Sequence, residues 1–393
     1  MTKYMISGNI CRILKKIQSS GERAYLVGGC VRDMVLGRRV HDWDIASSSM
    51  WEKTARLFSK SAATGAKYGT VTVFYRGTKA EVTTFRCDAG YSDMRHPDKV
   101  EFTSDLDKDL ARRDFTMNAM AMDLDGEITD IFGGMADIEN GIIRCVGDPD
   151  RRFAEDALRM FRALRFSAQL GFEIEERTKN AVLKNARRAS AVSAERIREE
   201  LLKTINSPRP ERAADMFASG LFGDIRGNMD LLCKMAGRLK YLPKSGRTRL
   251  IALAGALGEA TDINAGSFLE RLHCGRKTLE LAGAFSYVPC DSAQEIKVSC
   301  GEYGAEKTMA ACAVCDAVYG GKRYRILRGF LKSGLPHSAG ELPIGGRELM
   351  ELGVVPGEEM GEMLKRLYRH VCFNPEDTAP ERLFELAREY MLK

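Results

Sequence analysis

Gly28-Gly29-Cys30-Val31-Arg32-Asp33, followed by Asp42-Trp43-Asp44-Ile45, constrains this chain more than any other stretch. Tyr25-Leu26-Val27 is a short apolar run ending at Gly28, which reads as a strand; Val31 to Leu36 has helical spacing, and Gly37 stops it. A strand that enters a helix through a doubled glycine lets backbone N–H groups approach an anion closely. Arg32, in the first turn, adds a guanidinium fork. In Asp42-Trp43-Asp44-Ile45 the period of an extended chain puts both carboxylates on one face and Trp43 and Ile45 on the other. Two adjacent carboxylates repel, so a site that keeps both ionised suits a divalent cation, and for phosphate chemistry that cation is Mg²⁺. Taken singly, these pieces are an ordinary turn and a solvated strand face. Together, in this order, they suit a nucleoside triphosphate held with its metal ions.

The same residues, Gly-Gly-x-Val-Arg-Asp and then Asp-x-Asp-Ile, resemble the opening motif of the class II CCA-adding enzymes and bacterial poly(A) polymerases, in the polymerase-β nucleotidyltransferase superfamily. Further along, Glu81 stands in a Glu-Val-Thr-Thr-Phe-Arg context that resembles the place of the family's third metal-binding carboxylate. Arg112-Arg113-Asp114-Phe115-Thr116-Met117-Asn118-Ala119 resembles the second family motif, which binds sugar and triphosphate. The resemblance implies Asp42, Asp44 and Glu81 as catalytic metal ligands, Gly29, Arg32 and Arg113 at the phosphates, and Asp114 and Asn118 at ribose or phosphate. Asp130 to Gly134 and Ile143 to Pro149 resemble the family's linker, a hinge and packing element.

Arg152 to Phe166 is the most telling run after the opening motif. Ala157, Phe161, Leu164 and Ala168 form an apolar stripe at helical spacing, the buried face of one helix. On that reading Asp156 and Arg159 are neighbours on another face, with Arg162 and Arg165 continuing at steps of three along a curved wall. An arginine-rich helix is ordinarily a solvated or ion-paired face. The alternative rests on base chemistry. Cytosine and adenine both offer an exocyclic amino donor beside a ring-nitrogen acceptor, and an Asp acceptor next to an Arg donor complements that edge in both. Guanine and uracil present the opposite pattern, and unpaired polar groups in a closed site reject them. The run resembles the family's Glu-Asp-x-x-Arg motif, which implies base reading by Asp156 and Arg159, with Arg162 and Arg165 at the nucleotide. Ala194 to Glu200 resembles the next motif, expected to buttress this helix through ion pairs.

The 393 residues suffice for several domains, and the net charge of +6 permits an anionic partner without demanding one. Eleven cysteines without regular spacing argue against a disulfide framework and for a reducing cytoplasm. Cys312-Ala-Val-Cys315 has metal-finger spacing but no second pair, and reads as buried apolar cysteine. There is no signal-peptide pattern and no membrane-length apolar run.

The pattern reads as α+β, mixed α/β at first and helical afterwards, and the resemblance implies a polymerase-β-like head containing a mixed sheet followed by an all-helical neck, body and tail. The expected divisions are 1–142 for the head, 143–206 for the neck with the base-reading helix, 207–331 for the body and 332–393 for a tRNA-binding tail. Within the head, the pattern predicts a basic helix over about 3–19 and one near Trp51–Phe58. It also predicts strands over 69–75 and 80–85 joined by a turn, and a polar loop over 86–100. The resemblance implies template-independent addition of C, C and A to tRNA from CTP and ATP with Mg²⁺, with contacts to the acceptor end and elbow, and no DNA or membrane partner. Three rivals stand beside it: an A-adding-only enzyme, a poly(A) polymerase and a catalytically silent RNA-binding protein. Ala157 stands where poly(A) polymerases carry proline, and the retained 86–100 segment, expected to act as the switch between C and A addition, speaks against a CC-only enzyme.

Overall fold

A computed structural model describes residues 4–89 and 99–392. The chain divides into two compact units: residues 1–200 with 219–223, and residues 201–218 with 224–393. The first unit opens with α1 (Gly8–Gln18), which buries Ile10, Ile13, Leu14 and Ile17 at helical spacing. A seven-stranded sheet follows: β1 (Ala24–Val27), β2 (Asp44–Ser47), β3 (Ser61–Gly65), β4 (Thr70–Tyr75), β5 (Thr78–Thr84), β8 (Ala121–Met122) and β9 (Ile128–Thr129), in the order β3-β4-β5-β2-β1-β8-β9. The β2–β5 pair is parallel, with Asp44 opposite Glu81, and the other neighbours are antiparallel. Val27, Ala46, Phe85, Leu106, Leu110 and Ala121 form a core cluster in this unit, with Tyr25 and Phe132 packed against it.

The hairpin predicted around Arg76 is present and tight. Tyr75 pairs with Thr78, and the two intervening residues, Arg76 and Gly77, have φ of 46° and 80°, the primed-turn geometry that matches strand twist. Segment 86–100 differs from the expected loop: β6 (Arg86–Ala89) and β7 (Lys99–Phe102) form an antiparallel ribbon. Cross-strand pairing of residues apart in sequence overrides their polar composition. The rest of that segment, 90–98, lies outside the described residues.

The further α-helices of this unit are α2 (Gly29–Val35), α3 (Trp51–Leu57), α4 (Leu106–Ala111), α5 (Gly134–Glu139), α6 (Pro149–Glu155), α7 (Leu158–Leu170) and α8 (Glu176–Asn185), and α9 (Ala194–Ile205) begins in it and ends in the second unit. The region after residue 142 is not wholly helical: β10 (Ile142–Ile143) pairs in parallel with β11 (Glu173–Ile174). The single helix expected through Arg152–Phe166 is two. Asp156 has extended backbone (φ −146°, ψ 105°), and its carboxylate accepts from the Leu158 N–H at 3.0 Å, so it ends α6 and caps α7. The expected apolar stripe survives on the second helix and just before it, since Ala157, Phe161, Leu164 and Ala168 are all buried.

The second unit is helical. Helix Gly246–Ala260 lies against Ala305–Val318, and Gly255 faces Val314 so closely that a Cβ there would meet a methyl at 2.3 Å. Two further clusters fill it, one around Cys290, Cys312, Leu327 and Phe330 and one around Leu349, Leu367, Tyr368 and Leu383. No helix among the described residues is long and apolar enough to cross a membrane.

Candidate active site

The first unit contains a cleft of about 670 Å³ whose wall includes almost every residue expected from the motifs. Gly28, Gly29, Arg32, Asp42, Asp44, Arg113, Asp114, Asn118, Asp156, Arg159, Arg162 and Arg165 all line it. Its charge is arginine-rich: seven arginines face five aspartates. Such a lining suits a polyphosphate carrying a base.

Gly28 sets the geometry at the entrance to α2. Its φ of 74° with ψ of −134° is open only to glycine, and a Cβ there would lie 3.0 Å from Arg113 Nη1 and 3.9 Å from Asp44 Oδ2. Asp44 begins β2, whereas Asp42 sits in a bend before the strand, so the two carboxylates are not alternate residues of one strand as expected. They reach the same cleft nonetheless. Burial pushes the Asp44 carboxyl up, Arg113 pulls it down, and the charges of Glu81 and Asp42 push it up again. That is the electrostatic situation a divalent cation relieves, and carboxylate oxygens are the donors Mg²⁺ prefers.

Glu81 stands apart from this pair. It is opposite Asp44 in the sheet register, but it does not line the cleft; its half-exposed carboxylate takes a 3.1 Å ion pair from Lys79, two residues away on the same strand face. Among the described residues no group of three or more His, Cys, Asp or Glu is arranged to hold a metal ion. The described residues thus bring together Asp42 and Asp44 but not the expected trio.

Arginines are held by buried carboxylates. Asp109 is fully buried and binds Arg112 at 2.8 Å and Arg113 at 3.0 Å; burial opposes its ionisation, yet the two guanidiniums keep its carboxyl below the usual range. Asp114 accepts from the Phe115 N–H (2.8 Å), from Asn118 Nδ2 (3.1 Å) and from Arg162 Nε (2.7 Å). Burial again works against the charge, and Arg162, Asn118 and Arg159 overcome it, holding Asp114 well below the usual carboxylate range. Asn118 Oδ1 in turn accepts from Arg32 at 2.7 Å. Asp114 and Asn118 therefore form a bridge between Arg32 and Arg162, orienting cations around the cleft in addition to lining it.

Phe166 is the centre of the arginine wall. The guanidinium carbons of Arg32, Arg162 and Arg165 lie 5.1, 5.4 and 3.8 Å from its ring centroid. Arg165 is also bound by Glu200 at 2.5 Å, and burial lowers its guanidinium to about 10 against the pull of Glu200.

Asp156 and Arg159 both line the cleft but do not pair with each other. Arg159 is clamped by Glu155 at 2.7 Å and donates to the Arg112 carbonyl at 3.2 Å. Asp156 is gripped by Arg196 through both terminal nitrogens, at 2.9 and 3.3 Å. The helix Ala194–Ile205 thus buttresses the site through Arg196 and Glu200, as expected, and Arg196 lines the cleft itself. Arg112, Arg196, His41 and Phe166 were missed as lining residues. Arg112 had a signal, adjacency to Arg113 in the motif, and Arg196 lies in the Ala194–Glu200 motif expected to form ion pairs, which named neither Asp156 as its partner nor the cleft as its place.

The chain is similar to known proteins along most of its length. Residues 24–144 match the family model of the poly(A) polymerase head domain, and residues 171–225 match that of the probable RNA- and SrmB-binding site of polymerase A. The CCA-adding enzyme of Lactobacillus helveticus is 36% identical over 380 residues, covering 94% of each chain, and that of Geobacillus kaustophilus is 38% identical over 386 residues, covering 95% of this chain and 94% of the relative. Among solved structures, the Bacillus stearothermophilus CCA-adding enzyme in complex with CTP superposes with a TM-score of 0.76 at 32% identity, over 97% of this chain and 96% of that one. The Thermotoga maritima CCA-adding enzyme complexed with tRNA shares the fold, with a TM-score of 0.71 at 20% identity over 98% of this chain and 96% of that one.

Proposed function

The chain belongs to the CCA-adding enzymes, and from that premise we propose that the cleft of the first unit is where a tRNA 3′ end meets CTP or ATP. The protein is a tRNA nucleotidyltransferase that adds C, C and A without a nucleic-acid template and releases pyrophosphate. Metal dependence is general in this family. Asp42 and Asp44 are the residues that would hold Mg²⁺, with Glu81 as a nearby carboxylate supplying negative charge. Bound there, the ion supplies activation of the attacking hydroxyl and charge neutralisation at the leaving group.

This chain's own side chains do the rest. Gly28 and Gly29 leave room for phosphate beside Arg113, and Arg32 adds a second cation fixed through Asn118. Arg162, paired with Asp114, and Arg165, paired with Glu200, stand against Phe166 and line the cleft, where they would face the nucleotide. The single observation carrying base selection is that Asp156 and Arg159 line one cleft, each locked by a separate partner, Arg196 and Glu155. An acceptor and a donor that do not neutralise each other remain available for the amino group and ring nitrogen of cytosine or adenine.

Four divisions (head 1–142, neck 143–206, body 207–331, tail 332–393) fit this reading, with the tail and body carrying the tRNA elbow. A cytoplasmic setting is supported by eleven free cysteines. The deciding experiment exchanges donor and acceptor character at Asp156 and Arg159 and measures single-nucleotide incorporation from each of four triphosphates. Relaxed or redirected selection toward UTP or GTP supports the assignment. An unchanged preference for CTP and ATP in a folded variant removes it.

A further inference from the structure

Three thiols meet in the core of the helical unit, and none of them belongs to the cleft. Cys312 and Cys315 lie one turn apart on helix Ala305–Val318, and Cys290 comes from the segment before helix Ala293–Tyr303. Cys290 Sγ is 2.8 Å from Cys315 Sγ, and Cys312 also hydrogen-bonds to Cys290. All three are buried, in one cluster with Ala284, Ile296 and Leu327. Free cysteine in an apolar core is common, but two sulfurs this close on separate segments are not explained by packing alone.

We propose that Cys290 and Cys315 are a reversible disulfide site, oxidised by hydrogen peroxide, with Cys312 as a neighbouring third thiol. A disulfide needs its sulfurs at about 2.05 Å, so the pair is within roughly an ångström of bonding distance and a small side-chain rotation closes it. The segments are already in register: Arg323 Nε donates to the Cys290 carbonyl at 2.9 Å, and the Arg323 N–H is held by Asp316, the residue after Cys315, at 3.0 Å. Hydrogen bonds from Cys312 and Cys315, with help from Arg323, lower the Cys290 thiol against its burial, which makes it the nucleophile of the three. The two partners are shifted the other way. In the first step the Cys290 thiolate attacks one peroxide oxygen, the O–O bond breaks, and the departing hydroxide takes a proton to become water. In the second, the Cys315 sulfur attacks the sulfenic sulfur, the S–S bond forms, the S–O bond breaks, and the thiol proton leaves with the oxygen as a second water. Two thiols and one peroxide thus give one disulfide and two waters.

Metal capture is the other use of such a trio, but among the described residues no set of three or more ligating side chains has the arrangement for it. The disulfide instead closes a loop between two residues 25 apart and ties the segment just before helix Ala293–Tyr303 to the last turn of helix Ala305–Val318. That cross-link raises the melting temperature of the helical unit by roughly 5–10 °C.

The test treats the reduced full-length protein with hydrogen peroxide, blocks remaining thiols and maps cross-linked peptides by mass spectrometry. The expected result is a Cys290–Cys315 cross-link, loss of two hydrogens, a higher melting temperature, and reversal of all three by dithiothreitol. Cys290→Ala removes the cross-link and leaves the peroxide-treated protein melting where the reduced one does. Should that variant misfold, wild-type protein alone still decides by whether the cross-link forms and reverses. Absence of the cross-link in folded wild-type protein, oxidation that dithiothreitol does not reverse, or co-purifying zinc released on thiol blocking each overturns the proposal.

Discussion

Asp114→Asn isolates the charge at the centre of the arginine wall while keeping the side chain's shape. Asparagine can still accept from the Phe115 N–H, but its amide presents a donor to Arg162, which now stands 2.7 Å away without a carboxylate. Removing one partner of a buried ion pair costs about 3–5 kcal/mol. The Arg162 side chain is 33% exposed, so water reaches the orphaned guanidinium and the loss falls to about 2–3 kcal/mol. In a unit of this size that is a fall of roughly 5–10 °C in the first melting transition, read by calorimetry. Because the folded carboxyl is held below its ordinary value of 3.8, its contribution is fully present at neutral pH and fades as pH falls through the folded value. The variant's deficit should therefore be constant from about pH 8 to 5 and shrink only below about pH 4. In a double-mutant cycle with Arg162→Gln, the two losses should overlap by at least about 1 kcal/mol. A deficit under about 0.5 kcal/mol at pH 7, or two fully additive losses, would refute the reasoning.

Asp42→Ala and Asp44→Ala should each abolish nucleotide transfer while tRNA binding, measured by filter retention, changes little; near-normal turnover in either removes the metal assignment. Gly28→Ala should cost about 1–3 kcal/mol because alanine rarely adopts φ 74° with ψ −134°, and should raise the KM for CTP through its contact with Arg113. A melting temperature and KM equal to wild type would show that the turn tolerates a side chain.

Much of the site was legible because its residues cluster in short motifs. The strand–glycine–helix entry at Gly28 and the buried stripe through Phe161 follow from local periodicity and conformational preference. The break at Asp156 did not follow, because spacing continues unbroken through a residue that instead caps the next helix. A weak signal was present, since aspartate is a preferred N-cap. The pairing of Ile142–Ile143 with Glu173–Ile174 depends on contacts between distant residues, which no local pattern encodes; for Arg196 the motif signalled an ion pair to the neighbouring helix but not that Asp156 would take it. Glu81 shows a different limit. The resemblance made it the third metal carboxylate, and it does stand opposite Asp44 in the sheet, but its carboxylate pairs with Lys79 on the same strand, a competing partner the motif does not show.

The most direct measurement incubates the protein with tRNA lacking CCA, in CTP alone, ATP alone and both, and resolves products at single-nucleotide resolution. A cleft that reads cytosine and adenine through Asp156 and Arg159 predicts two residues added from CTP alone and three, ending in A, from both, with no extension beyond. A lengthening ladder from ATP alone, or a requirement that the substrate already end in CC, would contradict it.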